Sequence, residues 1–186
     1  MLGRLIRPLL WLLLVALLCC GPGLQPVAAS LTNNNYDGNI YALYAGNGSL
    51  VPPRSTLAQA LAEHRPAVVV YFLDDAAASK RFAAEVSELQ RLWGNSIELI
   101  PLATDPLQNR PDGGVGDPAH YWKGVIPQVV VFDAEGTVVL DASGQVDPDV
   151  LNQAISSATG IALAEGQRSS TTISFNELNS EVISRP

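Results

Sequence analysis

The chain has 186 residues, 47% of them hydrophobic, with 11 Lys plus Arg against 18 Asp plus Glu. That length and composition suit one globular domain with appendages and exclude a disordered or collagen-like chain. A formal net charge of −7 excludes a backbone-driven nucleic-acid binder, which needs a basic footprint. The two cysteines, Cys19 and Cys20, both lie in the N-terminal apolar run. Once that run is removed, no thiol remains for disulfide exchange or nucleophilic attack.

The N-terminus reads as an export signal. Arg4 and Arg7 precede an apolar stretch over residues 9–18, and Gly21-Pro22-Gly23 breaks it. Pro26-Val27-Ala28-Ala29 then offers small residues for cleavage before Ser30. The stretch falls short of the roughly 20 residues that span a bilayer, which favours a signal peptide over a retained membrane anchor, its alternative. Arg4 and Arg7 are not adjacent, so a twin-arginine signal is not indicated, and Leu17-Leu18 before the cysteine pair argue against a lipoprotein signal. The chain divides into a signal or anchor (residues 1–29), a polar linker with Asn33-Asn34-Asn35 (30–39), a domain (40–160) and a tail (161–186).

Within the domain, residues 40–44 are expected to form a first strand, followed by a loop enforced by Gly46, Gly48, Pro52 and Pro53. The Asn47-Gly48-Ser49 sequon carries little weight. Thr56 and Gln59 have capping-box spacing ahead of a short helix whose stripe is Leu57, Ala60 and Leu61. His64 falls at its C-terminal end, where a capping role outweighs a catalytic one. Residues 68–73, Val-Val-Val-Tyr-Phe-Leu, read as a strand covered on both faces. A long helix opens at Ala76, with Phe82, Val86, Leu89 and Trp93 as one apolar stripe and Lys80, Glu88 and Arg91 on other faces. Gly94-Asn95 ends it. Residues 97–100 start a second strand, and Pro101 places that strand at a sheet edge because proline cannot donate to a ladder.

Residues 104–117 carry Pro106, Pro111, Gly113, Gly114 and Gly116 and read as loop, followed by a short helix or turn over 118–123. Residues 129–132 and 137–140 form two strands joined by an Asp133-Ala134-Glu135-Gly136 turn. Asp147-Pro148 starts the last helix as N-cap and N1 proline, and Gly160 ends it. The order is β-α-β followed by β-β-α. In the tail, Ile173, Phe175, Leu178, Val182 and Ile183 mark a candidate interaction segment.

That order, with a proline directly before the third main strand, resembles the thioredoxin fold, an α/β fold with a central mixed sheet flanked by helices. Its most specific element is Gly124-Val125-Ile126-Pro127 leading into Gln128 to Asp133, and Gly144-Gln145 before the last helix also fits. The resemblance implies a cis proline at Pro127 facing the active-site loop, with the Val125 and Ile126 backbone free to pair with a peptide. Where thioredoxins carry Cys-x-x-Cys-Lys, this chain has Ala76-Ala77-Ala78-Ser79-Lys80. Alanine has no nucleophile, and a serine hydroxyl without an adjacent base is too weakly acidic, so disulfide exchange is excluded. A serine nucleophile at Ser79 would need His64 or His120 as its base.

The expected site is therefore a partner-binding face at Ala76, Ser79, Val125, Ile126 and Pro127. Tyr121 and Trp122 join it as aromatic anchors, or else pack beneath the preceding loop. No catalytic residue, cofactor or metal is expected. Asp105, Asp112, Asp117 and His120 lack a fixed ligand spacing and read as solvated loop charges rather than a cation site. Asp74 and Asp75 read as helix-capping residues, with an acidic recognition pair as the alternative.

From leader through Cys-free domain to tail, the chain also resembles a family of cyanobacterial thylakoid-membrane proteins, the photosystem I accumulation factors. The matching stretches are residues 66–74, 93–105 and 121–133. The resemblance implies a lumenal domain at the thylakoid membrane that supports photosystem I levels, with the periplasm as the alternative address. Its implied partners are proteins, namely photosystem I subunits or assembly intermediates. The competing readings are an exported enzyme using His120 or the loop carboxylates, and a passive structural subunit of a membrane complex.

Overall fold

The computed structural model describes residues 29–162. Residues 1–28 and 163–186 lie outside it, and with them the expected signal or anchor segment except its last residue, and the apolar tail positions. Among the described residues no helix is long and apolar enough to cross a membrane.

Four strands form one sheet in the order β2-β1-β3-β4, with β1 Ala67–Phe72, β2 Glu98–Ala103, β3 Gln128–Phe132 and β4 Val138–Ser143. β1 pairs parallel with β2 and antiparallel with β3, and β3 pairs antiparallel with β4. Pro101 sits opposite Val70 on β2, which is an edge strand as its proline demands. β1 and β3 are buried along their whole length, which is why both are continuous apolar runs.

The two-residue period of the strands splits the interior into two layers. Val68, Val70, Phe72, Val129 and Val131 face one core with helices α3 (Ala77–Trp93) and α4 (Pro148–Thr159). Val69, Tyr71, Val130 and Phe132 face the other, with Leu57 and Ala60 of α2 (Leu57–Ala62). Phe82, Val86, Leu89 and Trp93 are all buried, as their spacing predicts. The Trp93 indole N–H donates to Asn152 Oδ1 at 2.9 Å and ties α3 to α4 inside the first core. A mixed sheet in this order, with β1-α3-β2 preceding β3-β4-α4, is a thioredoxin-like fold.

The helix ends follow the sequence signals. Thr56 and Gln59 make a reciprocal capping box. Beyond α2, His64 takes a left-handed conformation (φ 52°). The Arg65 N–H then reaches the Ala60 carbonyl and the His64 N–H that of Leu61, a Schellman closure. Asp147 caps α4 through the Asp149 N–H, and Gly160 ends it at φ 68°.

One element departs from expectation. Residues 40–44 are not a strand but part of a helix, α1 (Ile40–Ala45). Asn39 supplies the N-cap, accepting from the Tyr41 and Ala42 N–H groups, and Gly46 closes the C-terminus in the left-handed region. Ile40 and Tyr41 are buried against the α3 side of the sheet, so tertiary packing and two caps decide a segment whose periodicity is too short to do so.

Candidate functional site: the N-terminal end of α3

α3 begins with Ala76 as its N-cap residue, and an alanine offers no side-chain acceptor. The first-turn N–H of Ala77 is satisfied from 43 residues away: it donates to Asn34 Oδ1 at 3.0 Å. The segment expected to be a free polar linker is thus folded onto the domain over residues 30–37.

Its anchor is Lys80. This side chain is fully buried, and its ammonium donates to Asn35 O at 2.6 Å, Asn33 Oδ1 at 3.0 Å, Asn33 O at 3.4 Å and Ser30 O at 3.5 Å. It also pairs with the Asp37 carboxylate, itself only 3% exposed. The Tyr44 hydroxyl donates to the same Asp37 oxygen at 2.7 Å, and the Tyr44 ring lies 5.7 Å from the ammonium. The Lys80 bond holds the Asp37 carboxyl below its ordinary range, with Tyr44 adding to the effect. Burial together with Asp37 pushes the Tyr44 phenol up to about 12. With five acceptor atoms around it, none of the three N–H donors of the buried ammonium is left unsatisfied, which would cost free energy. Lys80 lies off the apolar stripe of α3, as its spacing predicts, yet it faces residues 30–37 rather than solvent.

Ser79, expected on the binding face, is 2% exposed. Its Oγ accepts the Leu73 N–H at 3.0 Å, so the hydroxyl closes the β1–α3 turn. Ala76 is half-buried. Asp74 and Asp75 precede α3 without capping it. Burial raises the Asp74 carboxyl above its ordinary range, opposed by the Ile40 N–H at the start of α1.

The proline loop borders the same end of α3. The Ile126–Pro127 bond is cis and Pro127 is buried, whereas Val125 is 48% exposed and Ile126 half-buried. The Gly144–Gln145 turn joins the two pieces: the Gly144 N–H donates to Pro127 O at 2.7 Å, and Gln145 Nε2 donates to Ala78 O at 2.8 Å. Pro127 and Ala78, the latter between Ala76 and Ser79, thus meet at one turn.

Tyr121 and Trp122 go elsewhere. Trp122 stacks on Tyr71 at 5.3 Å, and Tyr121 meets Phe132 edge-on at 4.9 Å, on the α2 side of the sheet. Of the two readings open to them, packing beneath the loop is the one the geometry realises. Gln128 fixes that loop. Fully buried, it accepts the Lys123 N–H at 3.0 Å and donates to Tyr121 O at 2.8 Å and Asp141 Oδ1 at 2.9 Å. The sequence alone assigns no side-chain role to Gln128 and reads residues 30–37 as part of a linker. The only available signal was a run of asparagines, residues that often cap backbone groups.

The loop carboxylates pair off rather than converge. His120 Nδ1 lies 2.8 Å from Asp112, and Arg110 donates to Asp117 at 2.7 Å. The Gly114 N–H, then His120, hold the Asp112 carboxyl below its ordinary range. Among the described residues no group of three or more His, Cys, Asp or Glu side chains is placed to hold a metal ion. Ser79 bonds to Leu73 rather than to a histidine, so this geometry forms no serine–histidine pair.

No protein-family model matches the chain. Among solved structures, it is similar to a yeast mitochondrial 1-Cys peroxiredoxin, with a TM-score of 0.41 and 13% identity over 54% of this chain and 85% of that one. It is also similar to a DsbH oxidoreductase, with a TM-score of 0.27 and 16% identity over 76% of this chain and 96% of that one. By sequence it is 33% identical over 155 residues to the thylakoid membrane protein slr1796 of Synechocystis, covering 83% of this chain and 77% of that protein. On that extent and identity, the chain belongs to the family of the Synechocystis thylakoid membrane protein slr1796.

Proposed function

We propose that the protein is a non-catalytic, thiol-free binding module of the thylakoid membrane that supports the accumulation of photosystem I. The observation that carries the binding reading is the division of labour around the α3 N-terminus. The position where a thioredoxin would present its thiols is closed by Asn34 and by the Lys80 cluster. The adjoining loop at Val125 and Ile126 remains accessible. A face that keeps its extended loop but has lost its nucleophiles is suited to holding a polypeptide, not to exchanging disulfides with it. The membrane address rests on the Synechocystis relative, and the link to photosystem I on the resemblance of residues 66–74, 93–105 and 121–133 to the accumulation factors.

Photo-crosslinking in thylakoids tests the face directly. A crosslinker placed at Val125 should capture photosystem I subunits or their assembly intermediates, whereas one at Val150, equally exposed on α4, should not. Equal capture from both positions, or none from Val125, would refute the proposed face. Recovery only of mature photosystem I in stoichiometric amounts would favour a structural subunit over an assembly factor.

A further inference from the structure

Asp37 is incompletely used. Its Oδ2 takes both the Lys80 ammonium and the Tyr44 hydroxyl. Its Oδ1 is buried and has no hydrogen-bond partner among the described residues. Buried carboxylate oxygens are normally satisfied, and an orphan inside such a cluster calls for a donor. Ser30 lies at the same place: its carbonyl is 3.5 Å from the Lys80 ammonium, which itself pairs with Asp37. Ser30 is half-buried while Ala29 before it is exposed. The bond between them follows Pro26-Val27-Ala28-Ala29, small residues of the kind a signal peptidase accepts.

We propose that the Ala29–Ser30 bond is a processing site and that the α-ammonium released at Ser30 docks on the Asp37 carboxylate, completing the Lys80 cluster. Hydrolysis adds one water across the amide. Ala29 leaves as a carboxylate, and the new Ser30 amine takes up a proton at neutral pH, since such amines titrate near 7.7–8.0. One amide N–H is thereby replaced by three donors carrying a positive charge, and hydrogen bonds between ionised partners are shorter and stronger than neutral ones. The carbonyls of Asn33 and Asn35 already surround the adjacent ammonium, and the half-exposure of Ser30 leaves water for donors that Asp37 does not engage. The order of events follows from geometry. A peptidase needs an extended substrate, whereas in the folded domain residues 30–37 are clamped to Lys80, so cleavage precedes closure. Removal of the leader would then be coupled to completion of the fold at the α3 N-terminus. This inference depends on export alone and is independent of the partner.

The test uses the full chain, expressed in a cyanobacterial host and recovered in its processed form from the membranes and lumen. Mass spectrometry should find Ser30 at the N-terminus; any other N-terminal residue would overturn the proposal. The recovered protein is then acetylated with an amine-reactive ester at neutral pH, folded and in urea. Pairing that raises the amine by one pKa unit lowers its reactive fraction about tenfold, so the folded protein should label at least about tenfold more slowly at Ser30. Rates equal within about twofold would overturn docking. In Asp37→Asn the protection should disappear while the circular dichroism spectrum persists, and protection retained in a folded Asp37→Asn protein would also contradict the proposal. Should that variant fail to fold, the folded-to-unfolded ratio of the unsubstituted protein decides alone.

Discussion

Replacing Gln128 by leucine removes the group that holds the proline loop to the sheet. The amide is fully buried and makes three hydrogen bonds, to the Lys123 N–H, the Tyr121 carbonyl and the Asp141 carboxylate. Each neutral bond contributes about 1 kcal/mol net, and a bond to a charged group about 1.5–3 kcal/mol. The gross loss is therefore roughly 3–5 kcal/mol. Lys123 is exposed and Asp141 is 23% exposed, so water recovers part of two of the three bonds. The expected net loss is about 2–4 kcal/mol, a fall in melting temperature of very roughly 10 °C for a domain of this size. Urea denaturation followed by circular dichroism measures it. Asp141→Asn serves as a control, because its amide oxygen still accepts from Gln128 and the loss should stay below about 1.5 kcal/mol. A Gln128→Leu protein within about 0.5 kcal/mol of the parent would show that Gln128 does not hold the loop to the sheet.

Three further outcomes are expected. The Asp37 carboxyl is held below its ordinary range by Lys80 and Tyr44, so its contribution is complete above the unfolded carboxylate pKa of about 4 and is lost as pH falls towards the lowered folded value. Urea midpoints between neutrality and acid should consequently drop more steeply for the parent than for Asp37→Asn, and parallel curves would contradict the pairing. Lys80→Met keeps a long side chain but leaves residues 30–37 without their anchor, so limited proteolysis should cut there first; unchanged cleavage sites would contradict the clamp. Trp93→Phe deletes the donor to buried Asn152 and should cost about 1–3 kcal/mol. Combining it with Asn152→Ala in a double-mutant cycle should show a coupling above about 0.5 kcal/mol, and strict additivity would refute the contact.

Where local chemistry decides the structure, the sequence was readable. Residues 68–73 could be placed because a run of β-branched and aromatic side chains suits a strand covered on both faces, and β1 is such a strand. The ends of α2 and α4 followed from Thr56 with Gln59 and from Asp147-Pro148 with Gly160. Ile40–Ala45 failed because six mostly apolar residues satisfy both helix and strand periods, and the decision fell to Asn39, Gly46 and burial against the sheet.

The site was less legible. Its expected place followed from Pro127 and from Ala76 and Ser79 standing where a redox pair would be. Its construction depends on contacts that no spacing rule anticipates: Asn34 reaches Ala77 across 43 positions, and Asp37 reaches Lys80 across 43 more. A lysine in a helix ordinarily implies solvent. Only a neighbouring segment rich in backbone and amide oxygens makes its burial tolerable, and that segment resembled a linker because asparagine is common in both settings. Tyr121 and Trp122 illustrate the same limit, since they pack on Phe132 and Tyr71, partners supplied by distant parts of the fold rather than by their own sequence.

The central claim, a thiol-independent role in photosystem I accumulation, is tested most directly in a strain lacking the gene. Reaction-centre spectroscopy of its thylakoids, normalised to chlorophyll, reports photosystem I against photosystem II. The account predicts a selective loss of photosystem I that is restored both by the unaltered gene and by a Cys19→Ser/Cys20→Ser form. An unchanged ratio of the two photosystems across several light regimes, or rescue that requires the cysteines, would contradict it.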